Sequence, residues 1–332
     1  MHYVQATVVI PTFNGCRLLA EALEGLGRQT VEHEVVVVDN ASTDGTIELL
    51  AERFPRTRFV RLPENTGFGR AINRGVEAAE TDVVVLINND VVCEPDFLER
   101  LLEPLHDETV AMVAGVLLQH DRPQLVDSAG IELDTTLRSW DAAWNRPLPE
   151  LAGASEPVGP CGGAAAFRTP VFREVGGFDE TFFAYWEDVD LALRLRLAGH
   201  RCVRATNARA LHKHGQTLGA ASPAQRRLEA FGRGYVLARY RVARRSLATR
   251  AKIALLDWPV LLVHLVVRRE LGPLRERRRG TRAGLARPAL RAPFELATVS
   301  FGEALGRQAG QLRLRASGSL PTHFDQSTPG GV

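Results

Sequence analysis

Cysteine is scarce in this chain, and its spacing excludes a disulfide framework and a cysteine-rich metal site. Four cysteines occur among 332 residues, at positions 16, 93, 161 and 202, without any C-x-x-C pair. Scattered thiols of this kind are typical of reduced, packed side chains in a reducing compartment. The first residues, Met1-His2-Tyr3, also lack the basic segment of a secretory signal. We therefore expect a cytoplasmic protein.

Long apolar runs are missing as well. The longest extends from about residue 253 to 267 and is interrupted by Asp257, Pro259 and His264, whereas a membrane span needs about 20 apolar residues. Four basic residues flank it: Arg250, Lys252, Arg268 and Arg269. The run could lie in a membrane surface or pack on the domain as an ordinary helix, and the sequence leaves both readings open.

Neither sign of charge is in overall excess. The 41 Lys and Arg residues nearly balance 39 Asp and Glu, for a formal net charge of +2, which argues against a dedicated nucleic-acid binder. The distribution is less even, because basic residues crowd positions 226–291. An apolar fraction of 45% is that of an ordinary globular protein.

Short apolar runs alternate with helical patterns through the first 118 residues. Strands are expected at 7–10, 34–38, 58–62, 83–87 and 110–118, and helices at 16–26, about 44–53, 69–79 and 95–102. This alternation predicts an α/β fold with a Rossmann-like, mostly parallel central sheet flanked by helices. Loops at the carboxyl ends of such strands converge on one crevice.

The second half is less regular. Residues 119–159 read as a loop-rich region with a hairpin around 131–137, followed by a helix at 187–197 and a strand at 201–205. Beyond Ser222 the pattern is helical and basic. The Gly, Ser and Pro-rich tail after about residue 317 is typical of disorder.

A candidate metal site follows the most apolar strand pattern. Asn88-Asn89-Asp90 comes directly after residues 83–87, and a carboxylate with neighbouring oxygen donors suits a hard divalent cation. His212 and His214 are candidate ligands further along the chain, because imidazole binds metals readily. A polar turn ending a strand is the alternative.

Two further loops contain candidate nucleotide-binding residues. Asp39 ends the second strand and could accept hydrogen bonds from a base or a ribose, while residues 42–44 are typical caps of the next helix. The glycine-bearing loop at 64–69 opens a helix, where backbone N–H groups favour an anion such as a diphosphate. A plain turn explains its glycines but not Asn65 and Asn73.

Three carboxylates cluster after a glycine-rich segment. Small residues at Gly162-Gly163 allow a ligand to approach the backbone, and the rings of Tyr185 and Trp186 are flat faces of the kind that contact sugars. Glu187, Asp188 and Asp190 begin a helix, and such crowding raises at least one pKa, as a general base requires. Acids favoured by the helix dipole are the alternative.

Together these segments resemble the family 2 glycosyltransferases with a GT-A fold, in particular the rhamnosyltransferase-like branch. The resemblance covers about residues 5–215. It rests on VVIPTFNG at 8–15, VVVDNASTDGT at 36–46, ENTGFG at 64–69, NND at 88–90, GGFDE at 176–180 and EDVD at 187–190.

The resemblance implies specific roles. The D-x-D position of the family falls on 88–90, so Asp90 is the expected ligand of Mn²⁺ or Mg²⁺, with Asn88 in place of the first acid. Asp39 would hold the nucleotide base, Asp188 would be the general base of an inverting reaction, and His212 would complete the metal site, ahead of His214. The expected nucleotide-sugar-binding residues are Pro11, Thr12, Asn14, Asp39, Asn40, Asn65, Gly67, Arg70, Asn73, Asn88 and Asn89. The expected acceptor-binding residues are Gly162, Gly163, Trp186 and Glu187.

The expected activity is transfer of rhamnose, galactose or a related hexose from a UDP- or dTDP-sugar to a hydroxyl of a glycan or lipid-linked glycan in cell-surface polysaccharide synthesis. A sugar nucleotidyltransferase is one alternative, although the loop at 11–15 has no Arg or Lys. A non-catalytic, degenerate GT-A carbohydrate-binding protein is another, because Asn88 replaces an acid.

The expected organisation is a GT-A domain at 1–220 and a basic helical region at 221–316. The GT-A domain divides into a donor half (1–118) and an acceptor half (119–220), and a disordered tail follows at 317–332. The basic helices are compatible with a peripheral position on the inner face of the cell membrane.

Overall fold

The computed structural model describes residues 5–151, 156–213 and 222–316. His214 and the tail predicted to be disordered lie outside these residues. The strands are β1 (Ala6–Thr12), β2 (Glu34–Asp39), β3 (Arg58–Arg61), β4 (Val83–Ile87), β5 (Val91–Cys93), β6 (Val110–Gln119), β7 (Arg122–Ser128), β8 (Ile131–Leu133), β9 (Ser139–Asp141), β10 (Ala164–Arg168) and β11 (Arg201–His212). The helices are α1 (Cys16–Leu26), α2 (Thr46–Arg53), α3 (Phe68–Ala78), α4 (Phe97–Leu102), α5 (Thr169–Glu174), α6 (Glu187–Leu197), α7 (Pro223–Arg239), α8 (Leu247–Leu262), α9 (Gly272–Ala286) and α10 (Phe301–Ala316).

One mixed sheet forms the centre, in the order β3-β2-β1-β4-β10-β6-β11-β5, with β7 added on β6. Strands β1 to β4 are parallel, as expected. Strand β10 runs antiparallel to both β4 and β6 and joins the two halves. The fold is therefore α/β, as predicted, with its parallel run concentrated in the first half.

Alternate residues of β4 serve two separate hydrophobic clusters. Val85 packs with α1 and α4 on one face of the sheet, and Leu86 packs with α3 and α6 on the other. Burial on both faces explains why this strand reads as an uninterrupted apolar run. Its carboxyl end is thereby fixed in position, and residues 88–90 follow it directly.

Two strands differ from expectation. No strand was predicted at residues 164–168, but they form the central strand β10. Alanine is a poor strand former, so packing between β4 and β6 decides this segment. Strand β11 continues to His212 beyond the predicted end at residue 205, because register shifts between Arg204 and Arg209 let it resume pairing with β6.

The basic helices pack tightly on each other through glycine. A Cβ on Gly280 of α9 would lie 2.0 Å from the Phe231 carbonyl oxygen of α7, and one on Gly234 would lie 2.3 Å from the Arg277 carbonyl oxygen. Only glycine permits so close an approach of two backbones. Phe231 also belongs to a third hydrophobic cluster that includes Val189 of α6. Helices α7 and α9 are thus positioned relative to the start of α6.

Within the part of the chain that the structure describes, no helix combines the length and apolar character needed to cross a bilayer.

Candidate active site

A pocket of about 620 Å³ opens at the carboxyl ends of β1 and β4 and extends to α7, α8 and α9. It gathers most of the residues expected from the sequence. These are Pro11, Thr12, Asn40, Asn65, Gly67, Asn88, Asn89, Asp90, Gly162, Gly163, Trp186, Glu187, Asp188 and His212.

Asn14 and Asp39 lie outside the pocket wall and shape the loops behind it. The Asn14 side chain accepts a hydrogen bond from the Thr43 backbone N–H at 2.8 Å. Asp39 is fully buried and accepts from the Ser42 backbone N–H at 3.0 Å. Its second carboxylate oxygen forms an ion pair with Arg61 Nε at 3.4 Å.

Arg70 and Asn73 also lie outside the wall. Arg70 Nε donates to Glu180 at 2.7 Å. The Asn73 amide donates to the Phe178 carbonyl and accepts from the Phe178 N–H, both at 2.9 Å. These contacts attach α3 to the turn at 176–180, so the structure gives Asn73 a structural partner that the sequence did not reveal.

The expected helix caps at residues 42–44 are wrong. Helix α2 begins after Gly45 without any side-chain cap. Ser42 Oγ accepts instead from the Asn14 N–H at 2.9 Å, and Asp44 accepts from the Cys16 N–H at 2.8 Å. These side chains join two strand-end loops that are remote in sequence, which a local capping pattern cannot indicate.

Acceptor oxygens without donors lie at the end of β4. Asp90 Oδ1 and Asn88 Oδ1 are buried, and neither accepts a hydrogen bond within the described chain. Such oxygens are costly to bury unless a cation or a donor reaches them. His212 Nε2 lies 3.4 Å from Asp90 Oδ1, close enough for an ion pair although its geometry is not that of a hydrogen bond.

These groups fit a hard divalent cation, which takes carboxylate and carbonyl oxygens and tolerates imidazole. Across residues 5–151, 156–213 and 222–316, no three His, Cys, Asp or Glu side chains are grouped as a ready metal centre. A cation held by Asp90 and His212 alone would keep open positions for phosphate oxygens and water.

Asp127 is a residue that sequence reasoning missed. It lies on β7, and its Oδ2 is 2.6 Å from Nδ1 of His212. Burial lowers the pKa of His212, but its hydrogen bond with Asp127 and the close carboxylate of Asp90 outweigh burial and raise the pKa to about 10. No motif includes Asp127; the available signal is an acid between the buried residues Val126 and Ser128.

The carboxylates at the start of α6 have different surroundings. Asp188 accepts from the Gly162 N–H at 3.3 Å and from the Val189 N–H at 2.8 Å, and burial raises its pKa. Burial, with the Asp188 charge, raises the pKa of Glu187 to about 8. Asp190, by contrast, forms ion pairs with Arg194 at 2.7 Å and Arg239 at 3.1 Å. Asp190 is therefore structural, and the other two face the pocket.

The backbone before α6 is held in an unusual conformation. Tyr185 and Trp186 have φ angles of 66° and 76°, a left-handed region that bulky residues rarely adopt. The preceding Phe183 carbonyl accepts from the Phe68 N–H at 2.7 Å. A Cβ at Gly67 would lie 2.1 Å from that carbonyl oxygen, so Gly67 is required to join the two loops.

Solved structures with similar folds come from nucleotide-sugar enzymes. The mannosyltransferase PcManGT from Pyrobaculum calidifontis, in complex with GDP-Man and Mn²⁺, has a TM-score of 0.54 at 20% identity and covers 95% of this chain and 80% of that one. GalNAc-T7 with UDP, GalNAc and Mn²⁺ has a TM-score of 0.55 at 16% identity, over 74% of this chain and 52% of that one. At these identities the likeness establishes the GT-A fold.

The chain belongs to glycosyltransferase family 2, whose model, "Glycosyl transferase family 2", matches residues 7–176. Two relatives confirm the rhamnosyltransferase-like resemblance. N-acetylglucosaminyl-diphospho-decaprenol L-rhamnosyltransferase of Mycobacterium tuberculosis is 30% identical over 211 residues, 56% of this chain and 68% of that protein. O-antigen chain rhamnosyltransferase WbaN of Salmonella anatum is 28% identical over 220 residues, 64% of this chain and 67% of that protein.

Proposed function

We propose that this glycosyltransferase is inverting and metal-dependent, and that it transfers rhamnose, galactose or a related hexose from a UDP- or dTDP-sugar to a hydroxyl of a glycan or lipid-linked glycan. The observation that carries the proposal is the meeting in one pocket of Asp188, a half-buried carboxylate with a raised pKa, and the donor-free oxygens of Asp90 and Asn88. The names of the two relatives support a role in cell-surface polysaccharide synthesis.

Asp90 and His212 would hold Mn²⁺ or Mg²⁺, with the Asn88 carbonyl beside them. When bound, the cation supplies positive charge that offsets the charge growing on the departing nucleoside diphosphate. Asp127 fixes the His212 ring through Nδ1, so that Nε2 faces Asp90. Carboxylates in this position set the tautomer and orientation of a metal-binding histidine.

Asp188 serves as the general base. A carboxylate oxygen of Asp188 removes the proton of the acceptor hydroxyl as that oxygen bonds to the anomeric carbon, and the bond to the diphosphate breaks on the opposite face. The Gly162 N–H orients the carboxylate. Glu187, with a pKa raised to about 8, stays mostly protonated near neutral pH and donates a hydrogen bond to a sugar hydroxyl. One base facing one leaving group requires no covalent intermediate, so the configuration inverts.

The proposal extends to the organisation and location of the chain. A GT-A domain ends near residue 220, and a basic helical region follows it. In this proposal the basic helical region lies on the membrane surface. Large apolar side chains are exposed along α8 and the π-helical turn that follows it: Leu255, Trp258, Leu262, Val266 and Val267. Basic residues flank this strip, as in interfacial helices.

Membrane association is tested by sedimentation of the full chain with anionic and neutral liposomes. Replacing Trp258 and Leu262 with Ser should reduce binding to anionic liposomes by at least about 100-fold, since burying each of these side chains contributes roughly 1.5–3 kcal/mol. Absence of binding by the unaltered chain would exclude a membrane location.

The proposed reaction is tested by thermal shift with UDP, dTDP, GDP and their sugars, with and without Mn²⁺. A ligand that binds the folded state raises the melting temperature, so we expect a Mn²⁺-dependent rise with a UDP or dTDP compound. Asp90→Asn should abolish the rise. Asp96→Asn should retain it, because Asp96 directly precedes α4 outside the pocket and its side chain is 42% exposed. A folded protein that responds to no nucleotide would instead be a degenerate binding protein.

A further inference from the structure

The end of the pocket farthest from the sheet contains arginines gathered around one carboxylate. Asp257 of α8 accepts hydrogen bonds from Arg233 of α7 at 3.2 Å, from Arg277 of α9 at 2.6 Å and from Arg138 at 3.2 Å. Burial acts to raise the pKa of Asp257, but the charges of the three arginines outweigh it and hold the pKa at about 2. The carboxylate is therefore ionised, and three guanidinium groups share it. These four residues are called the basic end below.

Other acidic residues lie close to the basic end. Glu229 also lines the pocket, near Arg138. Asp134 lies behind Arg138 and uses one carboxylate oxygen to accept hydrogen bonds from the Thr136 and Arg138 backbone N–H groups and from the Thr136 hydroxyl. A fourth arginine of the wall, Arg226, is paired with Glu270 of the segment before α9.

Two of the arginines keep donors available to a ligand. Arg233 is fully engaged, since it also donates to the Thr136 carbonyl and hydroxyl at 2.8 and 2.9 Å. Arg138 and Arg277 each donate one side-chain hydrogen bond among the described residues, although a guanidinium has five N–H donors. Their side chains remain 19% and 18% exposed and line the pocket.

Like charge and burial make an anion favourable here. Burial lowers the pKa of Arg138 and of Arg277; the Asp257 charge opposes this shift, and the neighbouring Arg233 charge adds to it. An entering phosphate would add negative charge and accept the remaining N–H donors, and the planar fork of arginine suits phosphate oxygens.

The position of the basic end in the pocket indicates which anion it would meet. The Arg233 guanidinium lies 5.9 Å from the centre of the Trp186 ring, and Trp186 directly precedes Glu187 and Asp188. A sugar against Trp186 would therefore have its reacting hydroxyl near Asp188 and its other end towards the arginines. The outer face of α8, opposite Asp257, is the exposed apolar strip with Trp258 and Leu262.

We infer that the basic end binds the phosphate or diphosphate that joins an acceptor sugar to a lipid, and that the lipid chain leaves over the apolar strip of α8. The inference rests on the proposed function, and it adds the residues that would recognise the phosphate of a lipid-linked acceptor. Arg138 and Arg277 would make the direct contacts, while Arg233 and Asp257 hold them in place.

The test measures binding of farnesyl diphosphate, farnesol and inorganic diphosphate to the full chain by calorimetry in EDTA, so that the metal-dependent donor site does not compete. Farnesyl diphosphate should bind more tightly than either of the other probes. Arg277→Gln should weaken its binding by about 10- to 100-fold, as expected for loss of a charge-assisted hydrogen bond. Arg279→Gln is the matched control, because Arg279 lies on the same helix with its side chain 75% exposed.

Two further variants separate binding from folding. Arg277→Lys keeps the charge and should recover part of the affinity, and Arg138→Gln removes a contact from a different segment and should weaken binding like Arg277→Gln. Equal affinity in Arg277→Gln and Arg279→Gln would overturn the inference. Equal affinity for inorganic diphosphate and for farnesyl diphosphate would show that the basic end does not recognise a lipid-linked phosphate. Because this assay needs neither donor nor turnover, its result is independent of the nucleotide test of the proposed function.

Discussion

The two ends of the central pocket differ in charge and in structural origin. The acidic end contains Asp90, Glu187 and Asp188, and the loops that follow strands of the sheet build much of it. The basic end contains arginines from α7, α9 and the turn before β9 around Asp257. Opposite charges in one pocket favour a fixed direction of binding in the proposed reaction. A donor diphosphate would need a metal at the acidic end, whereas an acceptor phosphate could use the arginines directly.

The largest expected effect comes from removing the proposed base, Asp188, at the acidic end. Asp188→Asn should lower turnover by about 10²- to 10⁴-fold, the usual contribution of a general base, while donor affinity is retained. Steady-state kinetics and nucleotide thermal shifts measure the two quantities, with Asp96→Asn as the surface control. Turnover within tenfold of the unaltered chain would remove Asp188 from the mechanism.

A smaller effect is expected from Asp127, which acts through His212. Asp127→Asn should weaken Mn²⁺ affinity by about 10- to 100-fold, as for other partners of metal-binding histidines. Electron paramagnetic resonance titration of Mn²⁺ measures this without turnover. Asp121→Asn is a matched control, because Asp121 pairs with the exposed His120 at 3.1 Å. Equal Mn²⁺ affinity of the two variants would make Asp127 a purely structural residue.

The basic end depends on the close contact of α7 and α9. Gly280→Ala places a Cβ against the Phe231 carbonyl and should reduce the free energy of unfolding by about 1–3 kcal/mol, as overpacking usually does. Farnesyl diphosphate affinity should fall with it, and Mn²⁺ affinity should not. Gly306→Ala on α10, where a Cβ meets nothing within 4 Å, is the control in denaturant unfolding. Loss of Mn²⁺ affinity in Gly280→Ala would show that the two ends are not independent.

The smallest expected effect, counted per pH unit, is a pH dependence from Glu187. Its pKa is raised from 4.5 to about 8 on folding, so the unfolded chain ionises first as pH rises. The stability that Glu187 contributes is present below pH 4.5 and is lost as pH rises towards 8, with the unfolding constant changing at most tenfold per pH unit for one proton. Unfolding of the metal-free protein at several pH values should show this slope reduced in Glu187→Gln. An equal slope in both proteins would refute the raised pKa.

The acidic end could largely be predicted from the sequence, because local patterns determine it. The run at 83–87 and the helix at 187–197 have the expected bounds, and the residues beside them are fixed by their distance along the chain. Asp127 was missed because its partner His212 is 85 positions away. The alanine strand β10 was missed because packing, not propensity, makes it a strand.

The basic end could not be predicted in the same way. The excess of arginine between residues 226 and 291 was visible, but the pairing of Arg138 with Asp257 joins residues 119 positions apart. No spacing rule connects such residues, since their contact depends on how α8 packs between other elements. The sequence therefore predicted a basic region and left its chemistry undetermined.

The left-handed backbone at Tyr185 and Trp186 has a consequence for protein engineering. Holding two bulky residues in this conformation costs about 1–3 kcal/mol each, and glycine would relieve that cost. A variant library selected only for heat resistance should therefore accumulate glycine at position 185. We expect these variants to be more stable to heat and to bind sugar more weakly. Selection at this position must therefore combine thermal stability with turnover.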